Sequence, residues 1–289
     1  MSFNHDGILL VNKKKGMTSY DVIRKIKFAF KEMDIKTKIG HSGTLDPFAE
    51  GLLIVLLGKY TRMSDYLMDL EKTYSGTFIQ GVGTDTLDLD GEVIETTKTL
   101  EPSVILSNIS NFIGEQMQVP PFYSALKHNG KKLYEYARKG ENITKPPRKI
   151  FVYDLSIKKE SSESFSFVTR VSKGTYVRKL IYDYTMSLGV ASYLTSLKRE
   201  KMGEFSLEDA RVIEEITPEN IEKNLMTIDD INLPYVRITL SEKEREKLSN
   251  GIRIDTERDG IDVALLESEG TVFAFGGVKD GQIYTRFFI

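Results

Sequence analysis

The chain has 289 residues, 40% of them hydrophobic and 28% charged, and a formal net charge of −2. That is enough chain to bury a core, as one large domain with a small one beside it. It contains no cysteine and only three histidines, and its longest apolar run is Leu52–Leu57, which excludes disulfides, thiol catalysis, cysteine-based zinc sites and a membrane-spanning helix.

Met1 to Gly7 lacks a basic stretch followed by a small-residue cleavage site, so the reading is a cytoplasmic protein without a signal peptide. Ile8–Val11 predicts a short buried strand. Thr18 then caps a helix, with Asp21 at the reciprocal position of a capping box. Val22, Ile23, Ile26, Phe30 and Met33 form its apolar stripe, and Lys25, Lys27, Lys31 and Lys36 its solvated side. Gly40-His41-Ser42-Gly43-Thr44-Leu45-Asp46-Pro47 reads as a tight loop that presents one carboxylate, Asp46. A hydrophobic strand follows at Leu52–Leu57. Lys72–Gln80 predicts another strand, with Tyr74, Gly76, Phe78 and Gln80 on one face. Gly81–Gly91 is a turn-rich loop. Pro102 starts a helix carrying Val104, Ile105 and Ile109, closed by Gly114. Phe151–Lys158 and Phe165–Val171 pair as strands. Thr175–Leu188 is a helix with Val177, Leu180, Ile181, Tyr184 and Leu188 inward and Gly189 as its stop. Further helices are expected over Leu207–Ile216 and from Thr217-Pro218. Leu233-Pro234 divides a domain of residues 1–232 from a module of residues 233–289. The module holds a charged helix, Glu242–Leu248, and strands around Val263, Phe273 and Tyr284. It is too small to be stable alone and should lean on the larger domain.

The net charge conceals an asymmetry. Residues 1–205 carry 30 Lys and Arg against 24 Asp and Glu, and residues 206–289 carry 10 against 18. Lys127–Lys149 alone holds eight basic and two acidic side chains, with Tyr134 and Tyr136 among them. Cations that pair phosphates, interleaved with stacking rings, suit an RNA groove.

Two apparent motifs fail. Gly51 to Lys59 has six residues between its glycines where a phosphate loop has four, and Tyr60 follows the lysine. Asp85, Asp88 and Asp90 before Gly91 lack the bidentate glutamate of a calcium loop, and Asp85 is left as a side chain that could orient an arginine. Arg178 is placed oddly for a cation, in the first turn of its helix. The reading is an arginine held by a carboxylate, with Asp46 the natural candidate, because a guanidinium favours the ionised form of a neighbouring carboxylate. Tyr74 is either a core ring or a platform for a base, and His41 is either structural or part of the Asp46 site.

Together these stretches resemble a known family. The Asp46 run is similar to the catalytic motif of TruB-type tRNA pseudouridine synthases. Lys72-Thr73-Tyr74 resembles their next motif, and Gly81-x-x-Thr84-Asp85-Thr86-x-Asp88 their acidic loop. Val119-Pro120-Pro121-x-Tyr123-Ser124-Ala125-x-Lys127 resembles the proline signature, and Gly174-Thr175-Tyr176-Val177-Arg178 the arginine motif. Leu197-Lys198-Arg199 with Gly203 and Phe205 resembles the late motif. The resemblance implies a mixed α+β catalytic domain with a central antiparallel sheet, and a β-rich, PUA-like C-terminal module. It implies isomerisation of the uridine at position 55, in the T loop of tRNA, without cofactor or metal, by a monomer that needs no protein partner and no membrane. On this resemblance Asp46 is the catalytic aspartate, Tyr74 the ring that stacks on the target base, and Arg178 the partner of the aspartate. His41, Tyr176 and Leu197 surround the substrate. Lys127, Lys131, Lys132, Arg138 and Lys139 grip the T arm. Lys13, Gly16, Gly43 and Pro47 support the active-site loop. Lys14 stands where the family has proline, which implies a looser loop. The same residues leave open an RNA-binding or RNA-folding protein without catalysis, and a synthase for another RNA site.

Overall fold

A computed structural model describes residues 5–141 and 143–289; most of the leader reading at Met1–Gly7, and Asn142 in the basic segment, lie outside them. In chain order the strands of the larger part are β1 (Gly7–Lys13), β2 (Ile39–Ser42), β3 (Glu50–Leu57), β4 (Lys72–Gln80), β5 (Val82–Thr84), β6 (Val93–Thr96), β7 (Gly114–Gln118), β8 (Lys127–His128), β9 (Lys131–Lys132), β10 (Arg148–Lys159), β11 (Ser164–Val171), β12 (Ser192–Met202), β13 (Phe205–Ser206) and β14 (Arg211–Val212). Its helices are α1 (Ser19–Glu32), α2 (Ser64–Met68), α3 (Pro102–Ser107), α4 (Leu133–Ala137) and α5 (Val177–Ser187). Ten strands form one sheet with the path β14-β1-β3-β12-β4-β11-β10-β7, extended by β2 on β3 and β13 on β12. It is antiparallel except where β14 meets β1 and β12 meets β3.

The fully apolar run of β3 has a physical reason. Its Leu53, Val55 and Leu57 pack under α1 with Leu9, Val22, Ile23, Ile26 and Phe30. Its Leu52, Ile54 and Leu56 face the other way, onto Tyr60, Met63 and Leu67. A strand covered on both faces has no polar side to show. The α1 capping box forms as expected, with Thr18 and Asp21 exchanging hydrogen bonds. On the other half of the sheet, α5 lays Val177, Leu180, Ile181 and Tyr184 over Tyr74, Phe78, Phe165 and Phe167.

After Leu233-Pro234 the chain forms a second sheet from β15 (Val236–Thr239), β16 (Ile254–Asp255), β17 (Ile261–Ser268), β18 (Thr271–Lys279) and β19 (Gln282–Phe288), with α6 (Glu242–Ser249) beside it. It does lean on the larger part: Leu265, Val272 and Phe275 share a core with Leu52, Leu67 and Met202, and the Phe275 and Tyr66 rings lie 5.0 Å apart.

Several expectations are corrected. Residues 40–42 of the predicted loop belong to strand β2. The Pro102 helix stops at Ser107, Ile109 lies in a 3-10 turn, and Gly114 opens β7; Val104 faces solvent. Leu207–Ile216 is not a helix, because Arg211 and Val212 pair with Val11 and Asn12 at the sheet edge, leaving a 3-10 turn on either side. Thr217-Pro218 starts only a turn and a short 3-10 segment, since Asn220 caps the Thr217 amide with its own side chain. The largest omission is β12, the central strand between β3 and β4, whose Lys198, Arg199, Glu200 and Lys201 hide its period.

Candidate active site

The loop between β2 and β3 is fixed from four directions. Ser19, buried at the start of α1, donates from its hydroxyl to the Leu45 carbonyl at 3.1 Å and accepts from the Leu45 amide at 2.9 Å. The Gly16 amide donates to the Pro47 carbonyl at 2.8 Å. The fully buried Lys13 ammonium donates to the Ala49 carbonyl at 2.5 Å and to the Met17 carbonyl at 2.7 Å. From β12, Arg199 donates to the Gly43 carbonyl at 3.0 Å and to the Leu52 carbonyl at 2.7 Å. Gly43 has φ +80°, in the left-handed region. Leu45, Phe48 and Ala49 are buried in the core, so the residues around Asp46 are anchored while its own side chain stays 38% exposed.

Arg178 meets that carboxylate. Its Nη2 lies 2.8 Å from Asp46 Oδ2 and its Nη1 lies 3.2 Å from Asp88 Oδ2. The guanidinium also donates to the Thr86 carbonyl at 2.5 Å and to the Tyr123 carbonyl at 3.0 Å. Arg178 and Asp88 are only 5% and 6% exposed. Two carboxylates and two carbonyls offset the unfavourable position of a cation at a helix start. The acidic loop orients Arg178 through Asp88 and not, as expected, through Asp85, which accepts the Glu92 amide. Burial pushes the Asp88 carboxyl above its usual range, outweighing the pull of Arg178. Thr86 Oγ1 at 2.6 Å and the Asp90 amide at 3.1 Å donate to it.

A cleft of about 290 Å³ opens above this network, lined by Asp46, Tyr74, Tyr176, Arg178, Leu197 and Arg199 among others. Tyr74 projects from β4 on the face expected for it. Tyr176 is held at both backbone groups by Gln118, which accepts its amide at 2.8 Å and donates to its carbonyl at 3.1 Å. The Arg148 guanidinium covers its ring at 4.7 Å. Lys72 also lines the cleft, its ammonium tied to the Leu70 carbonyl at 2.6 Å. Burial pulls both the Lys13 and the Lys72 ammonium down to about 8. The cleft is a pocket with the Asp46 carboxylate beside the Arg178 guanidinium and with the Tyr74 and Tyr176 rings in its lining, suited to a flat polar ring.

The structure thus brings Asp46, Tyr74, Tyr176, Arg178 and Leu197 together, with Lys13, Gly16, Gly43 and Pro47 around the loop. It does not bring His41 into the cleft lining. His41 sits on β2 opposite Val55, and burial, then Arg199 and Lys132, lower its imidazole pKa. Lys127, Lys131 and Lys132 are exposed on the β8–β9 hairpin, and Arg138 and Lys139 just after α4, with Ala125 just before them at the cleft wall. Lys132 and Arg138 flank the Tyr134 ring at 5.5 Å each. Lys14 pairs with Glu214 at 3.0 Å. Gln118, Arg148 and Ser19 carry no signal as isolated polar residues of the sequence; Asp88 and Arg199 stand inside recognised motifs without a role. Among the described residues, no group of three or more His, Asp and Glu side chains could hold a metal ion.

Comparison with known proteins agrees with this architecture. The model described as TruB family pseudouridylate synthase (N terminal domain) matches residues 30–177. A tRNA pseudouridine synthase B of Clostridium kluyveri is 40% identical over 253 residues, covering 87% of this chain and 86% of that protein. One of Psychrobacter arcticus is 39% identical over 258 residues, 86% of this chain and 67% of that protein. In fold, the chain is similar to one in the crystal structure of a Cbf5-Nop10-Gar1 complex, at TM-score 0.72 and 19% identity over 98% of this chain and 84% of that one. The C-terminal sheet is compatible with a PUA-like module. The chain belongs to the TruB family of pseudouridylate synthases, and is an isomerase.

Proposed function

We propose that this protein converts the uridine at position 55, in the T loop of tRNA, into pseudouridine, with Asp46 as the catalytic carboxylate. The observation that carries the reading is the ion network in which buried Arg178 joins Asp46 to Asp88 at the floor of a cleft walled by Tyr74. The names of the bacterial relatives support tRNA as the substrate.

The reaction breaks the N1–C1′ bond of uridine, turns the base and joins C5 to C1′. One proton leaves C5 and one is taken up at N1, and no electrons are gained or lost. A single carboxylate suffices, by attack at C6, by attack at C1′, or by removing the C2′ proton to give a glycal. All three routes need the Asp46 carboxylate held and aimed, which the Arg178 guanidinium provides at 2.8 Å. The base must leave its stack at a cost of a few kcal/mol. Stacking on Tyr74, worth roughly 1–3 kcal/mol, offsets this, and the Tyr74 oxygen takes the C5 proton as its own hydroxyl proton passes to water. Leu197 and Tyr176 close the pocket. Lys127, Lys131, Lys132, Arg138 and Lys139 bind T-arm phosphates and position the loop without reading sequence. Residues 1–232 are the catalytic domain, 233–289 a module resting on it, and the protein acts in the cytoplasm as a monomer.

The test is incubation of unmodified tRNA with the protein, followed by nucleotide-resolution mapping of pseudouridine. The wild type should modify position 55 alone, and Asp46→Asn should bind tRNA within several-fold of wild type without turnover. Modification elsewhere refutes the substrate assignment, and turnover by Asp46→Asn refutes the mechanism.

A further inference from the structure

Helix α1 carries a surface that its packing does not use. Residues 13–38 hold nine Lys and Arg against three Asp and Glu, in a chain whose net charge is −2. Tyr20, Arg24, Lys27 and Lys31 recur at i, i+4, i+7 and i+11, one stripe of an α-helix. All four are exposed. Arg24 is tied to Asp21 at 2.7 Å, but among the described residues no carboxylate lies within salt-bridge distance of Lys27 or Lys31. The Lys27 ammonium instead lies over the face of the Tyr20 ring, at 5.8 Å. Tyr20 and Phe28 are 62% and 63% exposed, the two most exposed aromatic side chains among the described residues. Phe28 forms one wall of an open groove of about 520 Å³, opposite Ile213, Ile216 and Pro218.

The place of the stripe matters as much as its composition. Its first turn is the turn that holds the active-site loop through Ser19 and Leu45. From there it runs about 16 Å away along the helix axis. Tyr20, which starts the stripe, follows Ser19 in the chain, and Asp46 follows Leu45, so an RNA whose target base lies at Asp46 has the start of the stripe nearby.

We propose that the exposed face of α1 is a second RNA-binding surface, with Lys27 and Lys31 pairing backbone phosphates and Phe28 stacking an unpaired base or sugar. This rests on the RNA-modifying reading above. It is separate from the basic hairpin and α4 and from the cleft. The occupant is the phosphodiester backbone of the substrate, because unpaired cations interleaved with exposed rings complement a polyanion with stacking faces.

The test uses the full chain with unmodified tRNA. In Lys27→Ala/Lys31→Ala, the plot of log affinity against log salt should be shallower by about 1.4 to 1.8, at about 0.7 to 0.9 for each phosphate that no longer meets a cation. The KM should rise several-fold with kcat unchanged. Lys158→Ala/Lys159→Ala, at exposed lysines on β10 toward the opposite edge of the sheet, should leave the slope as in wild type. Because the chain has no tryptophan, Phe28→Trp supplies a single reporter whose emission should change when tRNA binds. A wild-type slope in the Lys27/Lys31 variant, an equal flattening in the Lys158/Lys159 variant, or an unresponsive Trp reporter overturns the inference. A dimer abolished by Phe28→Ala would overturn it too, and identify a second copy as the occupant. Wild-type modification of the same tRNA is measured in parallel, so failure of the functional reading shows separately from failure at α1.

Discussion

Replacing Arg178 by Met should separate the energetics of the buried network from its chemistry. Arg178 neutralises part of a centre that otherwise holds two carboxylates, and Asp88 is only 6% exposed. Removing one partner of a buried ion pair costs about 3–5 kcal/mol, because the remaining charge is left without a cation. At roughly 2–4 °C per kcal/mol for a chain of this size, Tm should fall by about 6–20 °C at pH 8. The destabilisation should depend on pH. Burial already raises the Asp88 carboxyl, and Arg178 is the largest influence lowering it; without Arg178 the folded carboxyl rises further. The folded variant then takes up a proton at a pH where the unfolded chain, near 3.8, does not. Its stability must therefore recover as pH falls through the raised folded value, and level off below the unfolded one. Arg178→Met/Asp88→Asn removes the stranded charge and should regain most of the missing Tm at pH 8 without regaining turnover. The assay is thermal unfolding between pH 5 and 8 alongside pseudouridine formation. A single variant as stable as wild type at pH 8, or a double variant no more stable than the single, would refute the argument.

Other outcomes follow from the supports of the loop. Burial holds Lys13 and Lys72 at about 8 in the fold against 10.5 unfolded. Between those values the unfolded chain binds more protons, so stability should rise from about pH 8 toward pH 10, and urea titrations should show a smaller rise in Lys72→Met. Gly51→Ala should cost at least about 2 kcal/mol, since a Cβ there would lie 2.5 Å from the Arg199 carbonyl oxygen at φ +104°; a soluble variant of wild-type Tm would contradict that close approach. Gln118→Ala leaves the Tyr176 amide unpaired, while the Tyr176 carbonyl keeps the Leu180 amide at 2.9 Å, and should cost about 1–3 kcal/mol, with a raised KM that Gln118→Glu restores in part, as read by steady-state kinetics.

Legibility in the sequence follows how local each cause is. The α1 cap, β4 and the β10–β11 pair depend on neighbours within a few residues, and the sequence shows them, although β10 starts at Arg148, three residues before the Phe151 expected. β12 is hidden because its identity depends on what lies beside it. Its Arg199 is buried among carbonyls of Gly43 and Leu52, some 150 residues earlier in the chain, so a basic residue that reads as surface is a support for the site. Leu207–Ile216 misleads for the opposite reason: its helical spacing is real, but β1 needs an edge partner, and Arg211-Val212 supplies it.

The same distinction explains why the choice between Asp85 and Asp88 is beyond sequence reasoning. Both stand in one turn, and either spacing could reach an arginine. The decision is made by Thr86 and the Asp90 amide, which hold the Asp88 carboxylate inward, while the Glu92 amide holds Asp85 outward. Burial leaves the Asp88–Arg178 pair less screened by water than the Asp46–Arg178 pair, although the Asp46 contact is the shorter, at 2.8 Å against 3.2 Å. Asp46 must do the reverse: it faces the cleft, where a base has to reach it. The network therefore needs two carboxylates of unequal exposure, one to fix the guanidinium and one to be aimed by it, and that inequality comes from the third dimension alone.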